Sequence, residues 1–233
     1  MKVKADKATA NATTAADAPG NKGRQRRADA VRNREHLLRS AAKTFLDEGP
    51  RVTMEKIAQN AGVGVGTLYR HFPDRTALIE ALSERAYEVV VAVAHQARES
   101  LTDEPLGAIR TFLFGVIERR DMIVLPLTGG PIYPSQANDQ ARQEIFRQLE
   151  HILESGRQQG HIRHDVNALD IMLAGAYFVR RLPNLPDAPA AVRRQAQIFV
   201  DGLRPVSTSL GERALTLTEL ENAWRRRLGK EDV

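Results

Sequence analysis

The sequence predicts an all-α protein: an N-terminal three-helix, helix-turn-helix domain followed by a larger C-terminal helical domain. Three observations carry that prediction. Apolar residues recur at helical spacing through most of the chain. Thr53 to Phe72 (TMEKIAQNAGVGVGTLYRHF) reads as two short helices hinged on glycine. Residues 103–204 are helical by pattern, interrupted by a proline- and glycine-rich stretch, Leu125 to Ser135.

Composition narrows the function classes. There are no cysteines among 233 residues, which excludes disulfides, thiol catalysis and cysteine-ligated zinc. No apolar run approaches the ~18 residues of a membrane span, and the start of the chain lacks the apolar core of a signal peptide. A cytoplasmic protein without membrane association is expected. The net charge of +5 is unevenly placed. Residues 1–28 hold seven basic residues against two acidic, so the remainder is neutral overall. Positive charge at one end suits a protein that meets a polyanion with that end.

In chain order, residues 1–28 are poor in large apolar residues and are expected to form a disordered basic arm, with Arg24, Arg26 and Arg27 available to phosphates. From Asp29 to Glu48, Val31, Leu38, Ala41, Ala42 and Phe45 mark a first helix, ended by Gly49-Pro50. Thr53 is a helix-capping type, and Met54, Ile57, Ala58 and Ala61 follow at helical spacing. Gly62 suits the left-handed turn that closes that helix. Val65, Leu68 and Phe72 form the apolar stripe of the next short helix, leaving Gly66, Thr67, Tyr69, Arg70 and His71 on the other side. A helix-turn-helix lays such a face in the major groove, where small residues permit close approach and polar groups reach bases and phosphates.

This stretch resembles the DNA-binding domain of TetR-family transcriptional regulators. The resemblance rests on Thr53, Ile57, Ala58, Ala61, Gly62, Val63, Gly66, Thr67, Leu68, Tyr69, His71 and Phe72, with Leu78 in the following helix. It covers roughly residues 30–80 and departs at Gly64, where serine is frequent, and at Arg75, where lysine is usual. It implies that double-stranded DNA is a partner. Thr67, Tyr69 and His71 are expected on DNA with Gly66 and Arg70 beside them, and Thr53 and Arg75 on phosphates.

The domain boundaries expected are 29–75 for the helix-turn-helix domain, 76–205 for an effector-binding and dimerisation domain, and 206–233 for a C-terminal extension. A helix of about 25 residues from Asp74, roughly 37 Å long, bridges the first two. In the family this helix links DNA reading to ligand sensing. Further helices are predicted near Glu104–Arg119, Asp121–Leu125, Ala137–Gln159, Asn167–Arg181 and Pro189–Leu203. Phe112, Val116, Met122, Phe146, Leu149, Leu153 and Tyr177 are candidates to line an effector cavity, with Arg110 and Arg147 on or beside their stripes.

Ile171, Ala174, Gly175 and Phe178 form one candidate dimer face, and Val192, Ala196, Phe199 and Val200 another. The family pairs its last two main helices with those of a second subunit, so a homodimer on a palindromic operator is implied. The extension ends in an amphipathic segment, Thr218 to Leu228, with Leu220, Ala223, Trp224 and Leu228 apolar, which is expected to dock on the helical domain or on the partner subunit. Gly62-Val63-Gly64-Val65-Gly66 is not a nucleotide loop, because a helix and not a strand precedes it. His161, His164 and Asp165 are read as solvated surface rather than metal ligands. No catalytic residue, metal or cofactor is expected. The reading is a ligand-responsive transcriptional regulator, with a DNA binder lacking an effector as the alternative.

Overall fold

The computed structural model describes residues 19–49, 51–123, 135–180 and 189–228. Among them are nine α-helices and no strands: α1 Pro19–Glu48, α2 Met54–Asn60, α3 Val65–His71, α4 Arg75–Glu99, α5 Pro105–Glu118, α6 Gln136–Gln158, α7 Ala168–Phe178, α8 Pro189–Asp201 and α9 Leu217–Leu228. A 3-10 turn, Arg120–Met122, takes the place of the helix expected from Asp121. The contacts divide the chain into two units, Met1–Glu35 and His36–Val233. The helix-turn-helix and the larger helical core fall in one unit of contacts, although each has its own hydrophobic cluster. In the first unit, α1 begins at Pro19, inside the stretch expected to be a disordered arm. Proline is favoured at a helix start, and Arg24 to Ala28 are good helix formers, which outweighs Gly20 and Gly23.

The smaller core is made by Leu37, Leu38, Ala41 and Phe45 of α1, Ile57 and Ala58 of α2, Leu68 of α3, Phe72, and Leu78 and Leu82 of α4, all buried. Val65, expected on this stripe, is exposed instead, since it opens α3 on the outer side of the turn. Thr53 caps α2 by accepting the Lys56 N–H at 3.3 Å. Gly62 takes φ +68° between α2 and α3, and the Val63 N–H returns to the Ala58 carbonyl at 3.0 Å. Asn60 ties the end of α2 to α1, donating to Thr44 at 3.2 Å and to Glu48 at 2.9 Å. His36 Nε2 donates to the Ala61 carbonyl at 3.0 Å.

Arg75, expected on phosphate, is turned inward. It donates to the Val52 carbonyl and lies over the Phe45 ring at 5.1 Å. Its planar, weakly hydrated head is suited to such a half-buried site.

α4 serves both cores. Leu78, Ile79, Ala81 and Leu82 belong to the first, and Tyr87, Val89, Val93, Ala94 and Ala97 to the second. There α4 packs on α5 and α6, and α5 is backed by α7 and α8. Two polar pairs one turn apart lie buried between α4 and α6. Asn138 donates to Ser83 at 3.3 Å, and Arg142 donates to the Tyr87 hydroxyl at 3.2 Å.

The extension is strapped across the turn after α6. Arg163 and Asp165 pair at 2.5 and 2.8 Å, Arg163 donates to the Thr208 carbonyl at 3.0 Å, and Asp165 accepts the Leu210 N–H at 2.8 Å. The Arg163 guanidinium and the Leu210 amide hold the Asp165 carboxyl well below the usual carboxylate range. Asn167 donates to the Leu215 carbonyl at 2.9 Å. A capping box then starts α9: the Thr216 N–H donates to Glu219 at 2.9 Å, and the Glu219 N–H donates to the Thr216 hydroxyl at 3.2 Å. Arg213, and then Thr216, hold the Glu219 carboxyl down at about 2, so the anchor is intact at neutral pH and fades only as pH falls toward that value.

Two substitutions test this account. Gly62→Ala puts a side chain in the left-handed region and should cost about 1–2 kcal/mol in urea denaturation, although its Cβ would meet nothing within 4 Å. Arg75→Ala loses both the carbonyl bond and the ring contact and should lower stability by about 1–2 kcal/mol. Exposed Arg70→Ala should stay within about 0.5 kcal/mol of the parent. An Arg75→Ala protein as stable as the parent would return that side chain to the surface.

Candidate nucleic-acid interface and interior cavity

α3 is set by one buried anchor. Leu68 is fully buried, and Phe72 closes the helix behind it. Gly64, Val65, Gly66, Tyr69 and Arg70 are exposed on the other side, with Thr67 and His71 half-buried at its margins. A Cβ placed on Gly64 or Gly66 would meet nothing within 4 Å, so neither glycine is there to fit the protein's own interior. The outer face of α3 is thus small at its start and aromatic and basic toward its end. Thr53 is exposed beside it, and its hydroxyl, while accepting from Lys56, can still donate outward. Of the residues expected to touch DNA, Thr53, Gly66, Tyr69 and Arg70 are exposed and Thr67, His71 and Arg75 half-buried, with Arg75 also donating to the Val52 carbonyl.

The larger domain carries a partly open cavity of about 310 Å³. Its apolar wall comes from Ala86 and Val90 of α4, Phe112 and Val116 of α5, Ile145 of α6 and Leu169, Met172 and Leu173 of α7, with Ile123 beyond the 3-10 turn. Leu220 and Trp224 of α9 also face it, so the extension forms part of the wall. Tyr87, Arg142, Tyr177 and Arg180 supply polar groups. Of the expected lining, Phe112, Val116 and Tyr177 are present. Leu149 and Leu153 are instead fully buried in the core. They belong to the apolar stripe of α6 one and two turns past Ile145, away from the void. Phe146 and Met122 pack against the core without reaching the cavity.

Arg110 and Arg147 are not cavity residues; they face Glu104 at 3.8 Å and Glu144, respectively. The cation that sequence reading missed is Arg142, whose side chain is only 4% exposed. It lies in phase with Ile145, Leu149 and Ile152, and a charge on an otherwise apolar stripe was the available signal. It donates to Asp139 and to Tyr87, and its guanidinium lies 5.5 Å from the Tyr87 ring and 5.1 Å from the Trp224 ring. Burial pushes the Tyr87 phenol up, with Arg142 working against it, so the phenol is neutral at physiological pH.

The expected dimer faces are largely consumed within the chain. Ile171, Ala196 and Val200 are fully buried, and Ala174 nearly so. Gly175 lets α7 approach α5, its Cβ position lying 3.5 Å from Val116 and 3.7 Å from Phe112. What stays toward the outside is the edge-on pair Phe178 and Phe199, 6.1 Å apart, half-buried Val192, and exposed Tyr177 and Ile198. His161 and His164 are exposed on the turn that holds the extension, and no group of metal-ligating residues occurs among the described residues. Nor is any described helix long and apolar enough to cross a membrane.

Comparison with known proteins places this architecture. The model for bacterial regulatory proteins of the tetR family matches residues 37–82. The model for the C-terminal domain of SbtR-like transcriptional regulators matches residues 105–205. HTH-type transcriptional regulators of Staphylococcus aureus, in strains USA300 and NCTC 8325 among others, are 35% identical over 74 residues. That match takes in 31% of this chain and only 40% of theirs.

A TetR transcriptional regulator of Streptomyces coelicolor is 30% identical with a TM-score of 0.50, covering 75% of this chain and 99% of that one. A TetR regulator of Mycobacterium vanbaalenii is 29% identical with a TM-score of 0.52, covering 77% and 99%. AibR, solved with isovaleryl coenzyme A and operator DNA, shares the fold alone, at 16% identity and a TM-score of 0.59 over 74% of this chain and 98% of that one. With both of its domains matched and a relative covered nearly end to end, the chain belongs to the TetR family of bacterial transcriptional regulators.

Proposed function

We propose that this protein is a cytoplasmic, ligand-responsive DNA-binding repressor that acts as a homodimer on a palindromic operator. The observation that carries the reading is α3: a helix fixed from beneath by buried Leu68 that offers two unhindered glycines, Tyr69 and Arg70 outward. Such a face fits a major groove, where backbone approach needs small residues at the helix start. The excess of positive charge at the same end of the sequence supports it. Pairing through the outer faces of α7 and α8, around Phe178, Val192 and Phe199, would set two copies of α3 one helical turn of DNA apart, about 34–36 Å.

The cavity favours the effector-responsive reading over a DNA binder without one, since it is apolar, of ligand size and walled by α4. An effector would act by its differential affinity for two settings of α4, and by no more than that.

Duplexes selected from a random pool supply the operator for the test. Tyr69→Ala and Gly66→Ala should each weaken operator binding at least tenfold while leaving the urea midpoint within about 0.5 kcal/mol of the parent. Arg70→Ala should weaken binding to all duplexes alike and reduce the slope of log affinity against log salt by about 1. Parental operator affinity in the Tyr69 and Gly66 variants would remove α3 from the DNA.

A further inference from the structure

The cavity's chemistry is more specific than its size. Among the described residues that line it are two guanidinium groups, Arg142 and Arg180, and no carboxylate. An organic cation would find no carboxylate on that wall. Arg142 is the more constrained of the two. Its guanidinium carbon lies over the Tyr87 ring at 5.5 Å and over the Trp224 ring at 5.1 Å, and its N–H edge is where an acceptor can bind. Two positions on that edge are filled, Nη1 by the Tyr87 hydroxyl and Nη2 by Asp139. At the third, Nε faces Glu221 Oε1 across 3.7 Å, too far for a hydrogen bond, and no other acceptor satisfies it. An unmade N–H on a buried cation is among the costlier omissions in a protein interior, and a charge-assisted bond is its natural remedy.

We propose that the cavity takes a small organic acid, an apolar ring-bearing or branched body with one carboxylate, which seats on the Arg142 Nε edge in place of Glu221. This rests on the effector reading above and gives that effector a chemical class. A carboxylate in the guanidinium plane supplies the missing acceptor, while the body lies among Val90, Phe112, Val116 and Met172. A neutral apolar molecule fills the same volume but leaves Nε unbonded. Glu221 belongs to α9, which also carries Leu220 and Trp224 to the cavity wall, so an acid that displaces Glu221 also disturbs the extension's hold.

Trp224 is the only tryptophan in the chain, so its fluorescence reads the site directly in the full-length protein. The probes are benzoate, 4-isopropylbenzoate and 3-phenylpropionate, each paired with its primary amide. At least one acid should bind ten or more times tighter than its amide. Glu221→Gln should tighten that acid several-fold and leave the amide unchanged, which a merely structural role for Glu221 would not do. Arg142→Gln should erase the preference for the acid. Should that variant fail to fold, the Glu221→Gln ratio decides. Acids that bind no better than their amides, or an acid-to-amide ratio unmoved by Glu221→Gln, overturn the proposal. Operator binding measured on the same samples separates the two claims. Selective acid binding without operator binding sinks the regulator reading alone, and operator binding without acid selectivity sinks this inference alone.

Discussion

A single buried guanidinium, that of Arg142, holds three elements of the larger domain together. It projects from α6, donates to the Tyr87 hydroxyl on α4, and stacks against Trp224 on α9. A charge this deep needs partners, and here Nη1 and Nη2 are met while Nε is not; breaking such a set by removing one member typically costs about 3–5 kcal/mol. That constraint dictates its neighbours. Asp139 stands one turn before it on α6, the Tyr87 phenol stays neutral and able to accept, and the Tyr87 and Trp224 rings lie against it. The void beside it is bounded by the residues these contacts fix. Hydrophobic packing alone would have closed α6 on α4 without leaving either a polar seam or a cavity.

The seam also bears on how the two cores communicate. Leu82 is the last α4 residue in the helix-turn-helix core, and Ser83 and Tyr87 follow it directly into the contact with Asn138 and Arg142. α4 is one continuous helix across that junction. A change in the setting of Tyr87 therefore acts on the same rigid rod that carries Leu78 and Leu82 beneath α3. Packed cores hold discrete arrangements instead of deforming smoothly, so the setting of α4 in one core constrains its setting in the other.

The helix-turn-helix was legible in the sequence because its determinants are local. A capping threonine, a left-handed glycine and two apolar stripes fix α2 and α3 within twenty residues, and the structure realises them save at Val65, which is exposed. Spacing could not tell which side of a stripe meets a void. Leu149 and Leu153 share the α6 stripe with Ile145, yet only Ile145 reaches the cavity. Nor could it separate packing within the chain from packing between chains, so Ile171, Ala196 and Val200 read as an interface while serving the interior. The contacts of Arg75 were hidden for a related reason, since its bond to the Val52 carbonyl and its place over the Phe45 ring depend on residues distant in sequence.

The extension shows how a wall can be both specific and yielding. A twelve-residue helix such as α9 is marginal on its own in water. Its position comes from the Thr216–Glu219 box, the Arg213 clamp, the bonds from Asp165 and Asn167 to the strap, and the contacts of Leu220 and Trp224. Most of these are exposed polar contacts, each worth little, and only Trp224 and Glu221 engage the buried guanidinium. Contacts of that kind stand at the low end of the stability range within a folded protein. One wall of the cavity therefore rests on a short helix held by local polar contacts, whereas the others belong to α4, α5, α6 and α7, which share the hydrophobic core.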